Sequence, residues 1–149
     1  MHNKTKINPF ILVLALLLIG SCTNMNEMVE IEINGENYKF ELANTQPTRE
    51  KGLMFREKLD DDSGMLFVYS YENYRYFYMR NTFIPLDIAF LDKNLTVVSI
   101  KSMMPLDETT VASEKKAMYA LEVNRGFFEK TGVKVGDEIK LLTPIRYFE

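Results

Sequence analysis

Five polar side chains stand in or beside apolar segments of this chain: Arg56, Arg80, Asn81, Thr82 and Asp87. Four of them interrupt the stretch YFYMRNTFIPLDIAF, residues 76–90. As a site, the arginines could hold a carboxylate or phosphate, the amide and hydroxyl could donate and accept hydrogen bonds, and the aspartate could act as an acid or base. As a structural cluster, the same groups would satisfy one another at a corner of the fold. We predict the five as candidate ligand-binding residues, and both interpretations stay open.

The residue types that are missing narrow the chemistry further. The only histidine is His2 and the only cysteine is Cys22. Both precede the expected domain, so a Ser-His-Asp triad, a Cys-His pair, a thiol-disulfide site and ordinary zinc coordination are excluded for that domain. No catalytic residue is therefore assigned, and no cofactor is expected.

An enzyme that works with carboxylates alone stays open as an alternative. Asp87 and Glu122 could form the acid pair of a hydrolase acting on an envelope glycan, a chemistry that needs carboxyl groups roughly 5 to 10 Å apart. A third alternative is a structural partner subunit of an envelope complex. Its contact surface would be the long polar connection 102–117 or a stripe of three alternating tyrosines. These tyrosines are Tyr74, Tyr76 and Tyr78.

Two further patterns resemble metal sites but are better explained without a metal. Thioethers can bind Cu(I), and methionines stand at Met54, Met65 and Met79. They lack close spacing, however, and methionine is a common residue of apolar cores. The acidic run 60–62 lacks the ligand spacing of a calcium-binding loop and favours a solvated turn. No metal site is predicted.

The elements that must position these residues are mostly short strands. The runs MVEIEI and YKFEL alternate in polarity on either side of Asn34-Gly35, which is a strong signal for a β-hairpin. Further short apolar or alternating runs follow at MLFVY, YRYFYMRN, LDIAFLD, LTVVSI, MYALEV and VGDEIKLL. One short helix is predicted over about residues 47–57 behind a Thr45 cap, and a second is predicted between an Asn124 cap and Gly132.

This pattern predicts a mainly β fold, namely a compact antiparallel β-sandwich or barrel-like single domain with two short helices over residues 28–149. The alternation also predicts that one face of the sheet is solvated. Within the first helix, Gly52 costs about 1 kcal/mol relative to alanine and indicates a close backbone approach.

The first residues resemble an export signal. Lys4 and Lys6 precede the apolar run FILVLALLLI, which is too short to span a bilayer as a helix but suits a secretory signal. The run leads into IGSC, which is similar to the lipobox of a bacterial lipoprotein, so Cys22 is the predicted lipidation site. We expect residues 1–21 to be a lipoprotein signal peptide and residues 22–27 to be a lipidated tether.

A lipidated Cys22 would hold the domain on a membrane, because each buried methylene contributes about 0.8 kcal/mol. Thr23 directly after it favours the periplasmic side of the outer membrane if the cell is Gram-negative. Without Lys4 and Lys6 the chain has 16 basic and 21 acidic residues. The sequence lacks the stripe of basic residues that would indicate a nucleic-acid partner. The expected address is the cell envelope.

Four blocks of sequence carry a family resemblance: GLMFRE (52–57), GMLFVY (64–69), FYMRNTFIPLDIAFLD (77–92) and YALEVNRG (119–126). In this order and spacing they resemble an uncharacterised bacterial and archaeal family, domain of unknown function 192, over about residues 38–142. The resemblance implies a small β-rich domain, often exported or lipid-anchored, and implies no reaction. In one departure, Phe77 and Tyr78 stand where the family often carries tryptophan.

The function expected from these residues is binding or accessory rather than catalytic. The domain lacks the usual nucleophiles and bases, carries no cofactor motif, and shows a polar cluster without a reaction signature. Whether it is an enzyme stays open, since carboxylates alone can catalyse hydrolysis. We therefore expect a cell-envelope lipoprotein whose domain binds a small molecule or an envelope protein.

Overall fold

The computed structural model describes residues 27–147. The predicted signal peptide, the predicted lipidation site Cys22 and most of the tether lie outside the described residues. In chain order the described elements are β1 (Met28–Ile33), β2 (Glu36–Ala43), α1 (Gln46–Lys51), β3 (Gly64–Asn73), β4 (Tyr76–Phe77), β5 (Leu86–Leu91), β6 (Val97–Met103), β7 (Val111–Ala112), β8 (Ala117–Asn124), α2 (Phe127–Thr131) and β9 (Lys140–Leu141). Neither of these two helices is long or apolar enough to cross a membrane.

Seven strands form one curled sheet in the order β6-β5-β8-β3-β2-β1-β9, and β4 pairs with β7 in a small second sheet. Every pairing is antiparallel except that of β2 with β3, which is parallel. A parallel pair needs a crossover connection, and α1 lies within it. The prediction of a mainly β, barrel-like single domain with two short helices is confirmed.

The first two strands form the predicted hairpin. Asn34 and Gly35 both have positive φ, 52° and 86°, as a two-residue type I′ turn requires. The register that follows pairs Ile33 with Glu36 and Ile31 with Tyr38. Alternation then places the valine and isoleucines of β1 on the buried face.

Apolar side chains pack on both faces of the sheet. One core surrounds Leu66 and is closed by Phe127 of α2. The other surrounds Phe67 and Phe90 and is completed by Phe77, which meets Phe67 edge-on at 4.9 Å between ring centroids. The expectation of one solvated sheet face is wrong for the central strands, and β5 is buried along its whole length. The reason is a second cover, built from the small β4–β7 sheet and its flanking loops.

The helices differ from their predicted bounds. Thr45 caps α1 through a capping box, as expected, but the helix ends at Lys51 rather than at residue 57 because Gly52 leaves the helical region. The second helix is not capped by Asn124, which is the last residue of β8. Its N-cap is Gly126 in a left-handed conformation. Gly132 closes that helix, as predicted.

Two strand predictions were too long. The run 74–81 is regular only over Tyr76–Phe77, and the last strand is only Lys140–Leu141. The predicted alternation of faces along 74–81 is still confirmed, because its three tyrosines are exposed while Arg75, Phe77 and Met79 are buried. The connection 102–117 is not structureless, since it holds the end of β6, the two-residue strand β7 and the beginning of β8.

Candidate functional site

A cleft of about 290 Å³ opens between α1, the end of β3 and the segment that carries β4. Fourteen residues line it, and most of the buried ones are apolar or aromatic: Gln46, Arg49, Glu50, Lys51, Gly52, Leu53, Met54, Phe67, Tyr69, Tyr76, Phe77, Tyr78, Thr82 and Glu122. The crossover between β2 and β3 supplies one side of this cleft, and the β4 segment supplies the other. The site is therefore assembled by the same chain segments that cover the second core.

Glu122 is the one buried acid of the lining. It lies in the middle of β8, between Met65 of β3 and Ile88 of β5 in the register. Glu122 is 5% exposed. Within residues 27–147 its carboxyl group makes no hydrogen bond or ion pair, and the one fully buried side-chain polar atom without a partner in that range is Ser99 Oγ, so the Glu122 oxygens open to the cleft. Burial raises the pKa of Glu122 to about 8. The carboxyl group is therefore mostly protonated, and uncharged, at neutral pH.

Tyr69 and two arginines form a stacked group at one side of the cleft. The guanidinium of Arg75 lies 3.7 Å from the centroid of the Tyr69 ring, and that of Arg49 lies 5.1 Å from it. Burial raises the pKa of the Tyr69 hydroxyl, and the two arginines partly oppose this effect. Arg49 is fixed by donating to the carbonyl oxygens of Asn44 and Val68 at 2.7 and 3.0 Å. Its charge is thus held beside the cleft by the backbone.

Thr82 is the one member of the predicted polar set that lines the cleft. It is buried, and its hydroxyl donates to the carbonyl oxygen of Arg80 at 3.1 Å. Asn81, with φ of 52°, is half-buried and turns the chain there. The carbonyl oxygen of Asn81 accepts from the N–H of Phe55 at 2.7 Å, and that of Thr82 accepts from Leu106 at 3.0 Å. The backbone of Asn81 and Thr82 thus joins its own loop to the loops that carry Phe55 and Leu106.

The two predicted arginines each meet an acid outside the predicted set. Arg56 forms a two-pronged ion pair with Glu41, and one prong joins Nη2 to Oε2 at 2.7 Å. This hydrogen bond raises the pKa of Arg56. Arg80 contacts Glu108 at 3.1 Å, and both side chains are more than half exposed. Arg56 therefore fastens the crossover to β2, whereas the Arg80 pair is a surface contact of small value.

Asp87 satisfies two donors at one corner of the sheet. Its Oδ1 accepts from the hydroxyl of Ser102 at 2.6 Å, and its Oδ2 accepts from the N–H of Gly126 at 2.7 Å. Arg125 reinforces the same corner by donating to the carbonyl oxygen of Met103 at 3.0 Å. The start of β5, the end of β6 and the turn into α2 are thereby tied together. This geometry matches the structural interpretation of Asp87.

The register separates the two carboxylates of the hydrolase alternative. Asp87 pairs with Val123, whereas Glu122 pairs with Ile88. Paired residues share a face and successive residues alternate, so Asp87 and Glu122 point to opposite faces of the sheet. They cannot face each other across a groove, so the register contradicts the alternative of an Asp87–Glu122 acid pair.

The most distinctive group of the cleft was identified only in part from sequence. Glu122 was considered solely as a partner of Asp87, while Arg49 and Tyr69 were not singled out. One signal was present, because Glu122 interrupts the apolar run YALEV of a buried strand. An acid in such a run has to be paired, neutral or functional. Asn124, predicted as a helix cap, instead donates to the carbonyl oxygens of Leu59 and Asp60.

No group of three or more His, Cys, Asp or Glu side chains in the described residues is arranged to hold a metal ion. Asp62 of the acidic run forms an exposed ion pair with Lys130 at 3.0 Å. Among the three methionines considered for Cu(I), Met65 and Met79 are buried in the second core, and Met54 lines the cleft.

Gly52→Ala is expected to lower the free energy of unfolding by about 2 kcal/mol. Gly52 has φ 47° and ψ −134°, a conformation open essentially to glycine alone, and a Cβ there would lie 3.2 Å from Cζ of Phe67 in the cleft wall. Urea denaturation measures the loss. The control is Gly35→Ala, which also has positive φ but open space around it, and which should cost about 1 kcal/mol. Equal losses of unfolding free energy in the two variants would show that the contact with Phe67 adds nothing to the cost of the positive φ.

Comparison with known proteins shows relatives of the same fold. A protein of Sinorhizobium meliloti 1021, described as a "putative transcription regulator", superposes with a TM-score of 0.71 at 31% identity, over 78% of this chain and 93% of that one. A protein of unknown function from Novosphingobium aromaticivorans DSM 12444 superposes with a TM-score of 0.69 at 35% identity, over 77% of this chain and 84% of that one. No curated protein matches the chain.

The family comparison covers most of the domain. The model of DUF192, described as "Uncharacterized ACR", matches residues 29–141. This range runs from β1 to β9 and contains the cleft, the Asp87 corner and all four blocks of the sequence resemblance. The chain therefore belongs to the DUF192 family.

Proposed function

We propose that this chain is a lipid-anchored binding domain of the cell envelope, and that its cleft takes a small molecule without catalysing a reaction. One observation carries the proposal, namely the buried carboxyl group of Glu122, which faces the cleft without a hydrogen-bond partner among residues 27–147. A bound molecule would supply the missing partner.

The energetics favour a functional reason for Glu122. A carboxyl group held among apolar neighbours without a protein partner reduces stability even where the cleft admits water, and an apolar residue would suit this position in β8 better. Residues that reduce stability in this way are typical of binding and active sites, where function offsets the cost. The dimensions agree, since about 290 Å³ is at the small end of ligand sites and suits a molecule of about one ring.

A non-catalytic role is supported by the position of the other acids. Asp87 lies on the opposite face of the sheet and is occupied by Ser102 and Gly126. Glu50, the other acid of the lining, is exposed and accepts a hydrogen bond from Gln46. Glu122 therefore has no second acid placed to share a reaction with it, whereas binding needs one polar group in an apolar cleft.

The envelope location rests on the sequence before β1. The apolar run ends at the predicted lipobox, and Met28 begins β1 six residues after Cys22. Six extended residues span at most about 20 Å. A lipid on Cys22 would hold the domain, and with it the cleft, within a short distance of the bilayer.

We expect fatty-acid labelling of the protein in its host and loss of the label in Cys22→Ala. The thiol of Cys22 is the only one in the chain, so no other thiol can carry the lipid. Metabolic incorporation of an alkyne-bearing fatty acid, read by mass on the purified protein, measures this. Asn24→Ala, two residues further on, is the control and should retain the label. An unlabelled wild type, or a label that survives in Cys22→Ala, would refute the anchor.

We expect small aromatic fragments to bind the cleft. The chain from Thr23 onward retains every described element. Two-dimensional NMR of this form, with a fragment library, should show shifts that concentrate at Tyr69, Phe77 and Glu122. Fragments that shift only residues of the acidic turn 60–63 serve as the internal control for weak surface binding. A library without any ligand at the cleft would count against the proposed function.

A further inference from the structure

We propose that the cleft is specific for a carboxylate carried on a flat apolar body, with the Glu122 carboxyl group donating a hydrogen bond to the ligand's anionic oxygen. This inference rests on the proposed function, since it names the class of ligand for the same cleft. The argument comes from the burial of Glu122 and from the charges and rings that surround it.

The sheet neighbours of Glu122 carry no charge. Met65, Phe67 and Tyr69 approach it from β3, and Ile88 approaches it from β5. Burial keeps the Tyr69 hydroxyl protonated by raising its pKa, so this neighbour is uncharged. No ion pair of the described range includes Glu122. The carboxyl group is consequently neutral at pH 7 and presents an O–H donor, as a carboxylic acid in an apolar site can.

Apart from Glu122, the charged side chains that line the cleft come from α1, and Arg75 adds a positive charge behind the Tyr69 ring. Arg49 and Lys51 are positive and Glu50 is negative, while the β4 segment contributes the uncharged Tyr76, Tyr78 and Thr82. With Glu122 neutral, the lining has an excess of one positive charge. An ammonium ligand would have to approach two cations and ionise a buried acid. An anionic ligand would instead be favoured, because it meets the O–H donor of Glu122 at the floor of the cleft and the excess positive charge of α1 at its side.

The shape of the ligand follows from the walls. Phe67 and Phe77 meet edge to face at 4.9 Å, and Tyr69 stands beside them with one ring face occupied by Arg75. Aromatic walls favour a flat apolar ligand, because rings pack against it by stacking or by edge contact. The cleft volume of about 290 Å³ admits one such ring with its carboxylate. Benzoate is therefore the simplest probe of the proposed class.

The pH dependence of ligand affinity tests the proposed ligand class. Because the donor is a protonated carboxyl group, an anion should bind without a pH dependence near pH 7 and lose about tenfold in affinity for each pH unit above about 8. An ammonium ligand requires the ionised form and would show the opposite trend. The direction of the pH dependence therefore distinguishes the two classes.

The experiment compares three probes of one shape, namely benzoate, benzamide and benzylamine. NMR titrations of the chain from Thr23 onward give the dissociation constants between pH 6 and pH 9.5. We expect benzoate to bind most tightly and to weaken at high pH. Glu122→Gln, which keeps a donor but cannot titrate, should bind benzoate with little pH dependence. Glu122→Leu should lose at least tenfold in affinity while remaining folded, and Glu129→Gln, an exposed acid of α2, should behave as wild type.

Three outcomes would overturn the proposal in different ways. Tighter binding of benzylamine or benzamide at the cleft, or benzoate binding with no pH dependence in wild type, would refute the ligand class and leave the cleft as a binding site. Failure of all three probes at the cleft, together with failure of the fragment library, would refute the proposed function itself. Benzoate shifts that are identical in wild type and Glu122→Leu would show that Glu122 does not contact the ligand.

Discussion

Asp87→Ala is expected to lower the free energy of unfolding by about 3 kcal/mol or more, and the melting temperature by on the order of 10 °C or more. The variant removes the acceptor of two hydrogen bonds at a position that is 7% exposed. The hydroxyl of Ser102 can turn to water, but the N–H of Gly126 is left without its acceptor at the turn into α2. Three elements lose their common contact at once.

Thermal unfolding followed by circular dichroism measures this loss. Asp107→Ala is a matched control, because Asp107 also accepts a backbone N–H, that of Thr109 at 2.8 Å, but is fully exposed. It should cost much less stability than Asp87→Ala, because the Asp107 carboxylate is exposed and water can replace it as the acceptor. A variant of Asp87 that melts like wild type would contradict the structural role and would return this carboxylate to the list of candidate ligand-binding groups. A variant that fails to fold agrees with the role, and Ser102→Ala then provides the smaller, measurable step.

The outcome at Asp87 shows what a local pattern can and cannot predict. The sequence places an acid at the entry of an apolar strand just after Pro85, which indicates an anchor or a site with equal force. The contact that favours the anchor, the N–H of Gly126, lies 39 residues away. The same holds for Arg56, because its ion-pair partner Glu41 lies on β2, ahead of the crossover that carries Arg56. Such pairings depend on strand order, which polarity patterns do not contain.

Elements that depend on neighbouring residues were predicted well. Asn34-Gly35 forms its turn because both residues tolerate positive φ, and Thr45 caps α1 through a bond to the N–H of Thr48. Asn124 fits the sequence pattern of a cap equally well, yet its amide is used by the loop carbonyl oxygens of Leu59 and Asp60. At Asn124 these tertiary hydrogen bonds take the place of the local capping bond.

The cleft could not be predicted, because no continuous stretch of sequence forms it. Its walls come from α1, from β3 and from the β4 segment, and its floor comes from β8. Strand alternation alone would place Glu122 on a solvated face, and that expectation failed for the central strands. The second cover buries Glu122 and thereby creates both the cleft and the neutral acid.

Glu122→Gln is expected to make the protein more stable than wild type at pH 8.5, and about equally stable near pH 4.5. The folded state holds the proton of Glu122 up to a pKa of about 8, whereas the unfolded chain releases it near the ordinary value of 4.5. Below pH 4.5 both states are protonated, so this group makes no difference. Between these two values the unfolded state ionises alone and gains stability, and the free energy of unfolding falls by about 1 kcal/mol per pH unit.

Above pH 8 both states are ionised and the full cost of about 5 kcal/mol remains, which corresponds to a difference in melting temperature on the order of 20 °C. The measurement is the difference between the wild-type and Glu122→Gln unfolding free energies from pH 4 to pH 9, since subtraction removes every other titrating group. Glu129→Gln, an exposed acid, should run parallel to wild type over the whole range. A flat difference curve for Glu122→Gln would mean that the carboxyl group is solvated or paired in solution, and the cleft would then lack the neutral donor on which the ligand class depends. A stability advantage of Glu122→Gln that grows from pH 4.5 to pH 8 would establish that the fold keeps a protonated acid at the floor of the cleft at a cost in stability, as expected of a residue retained for function.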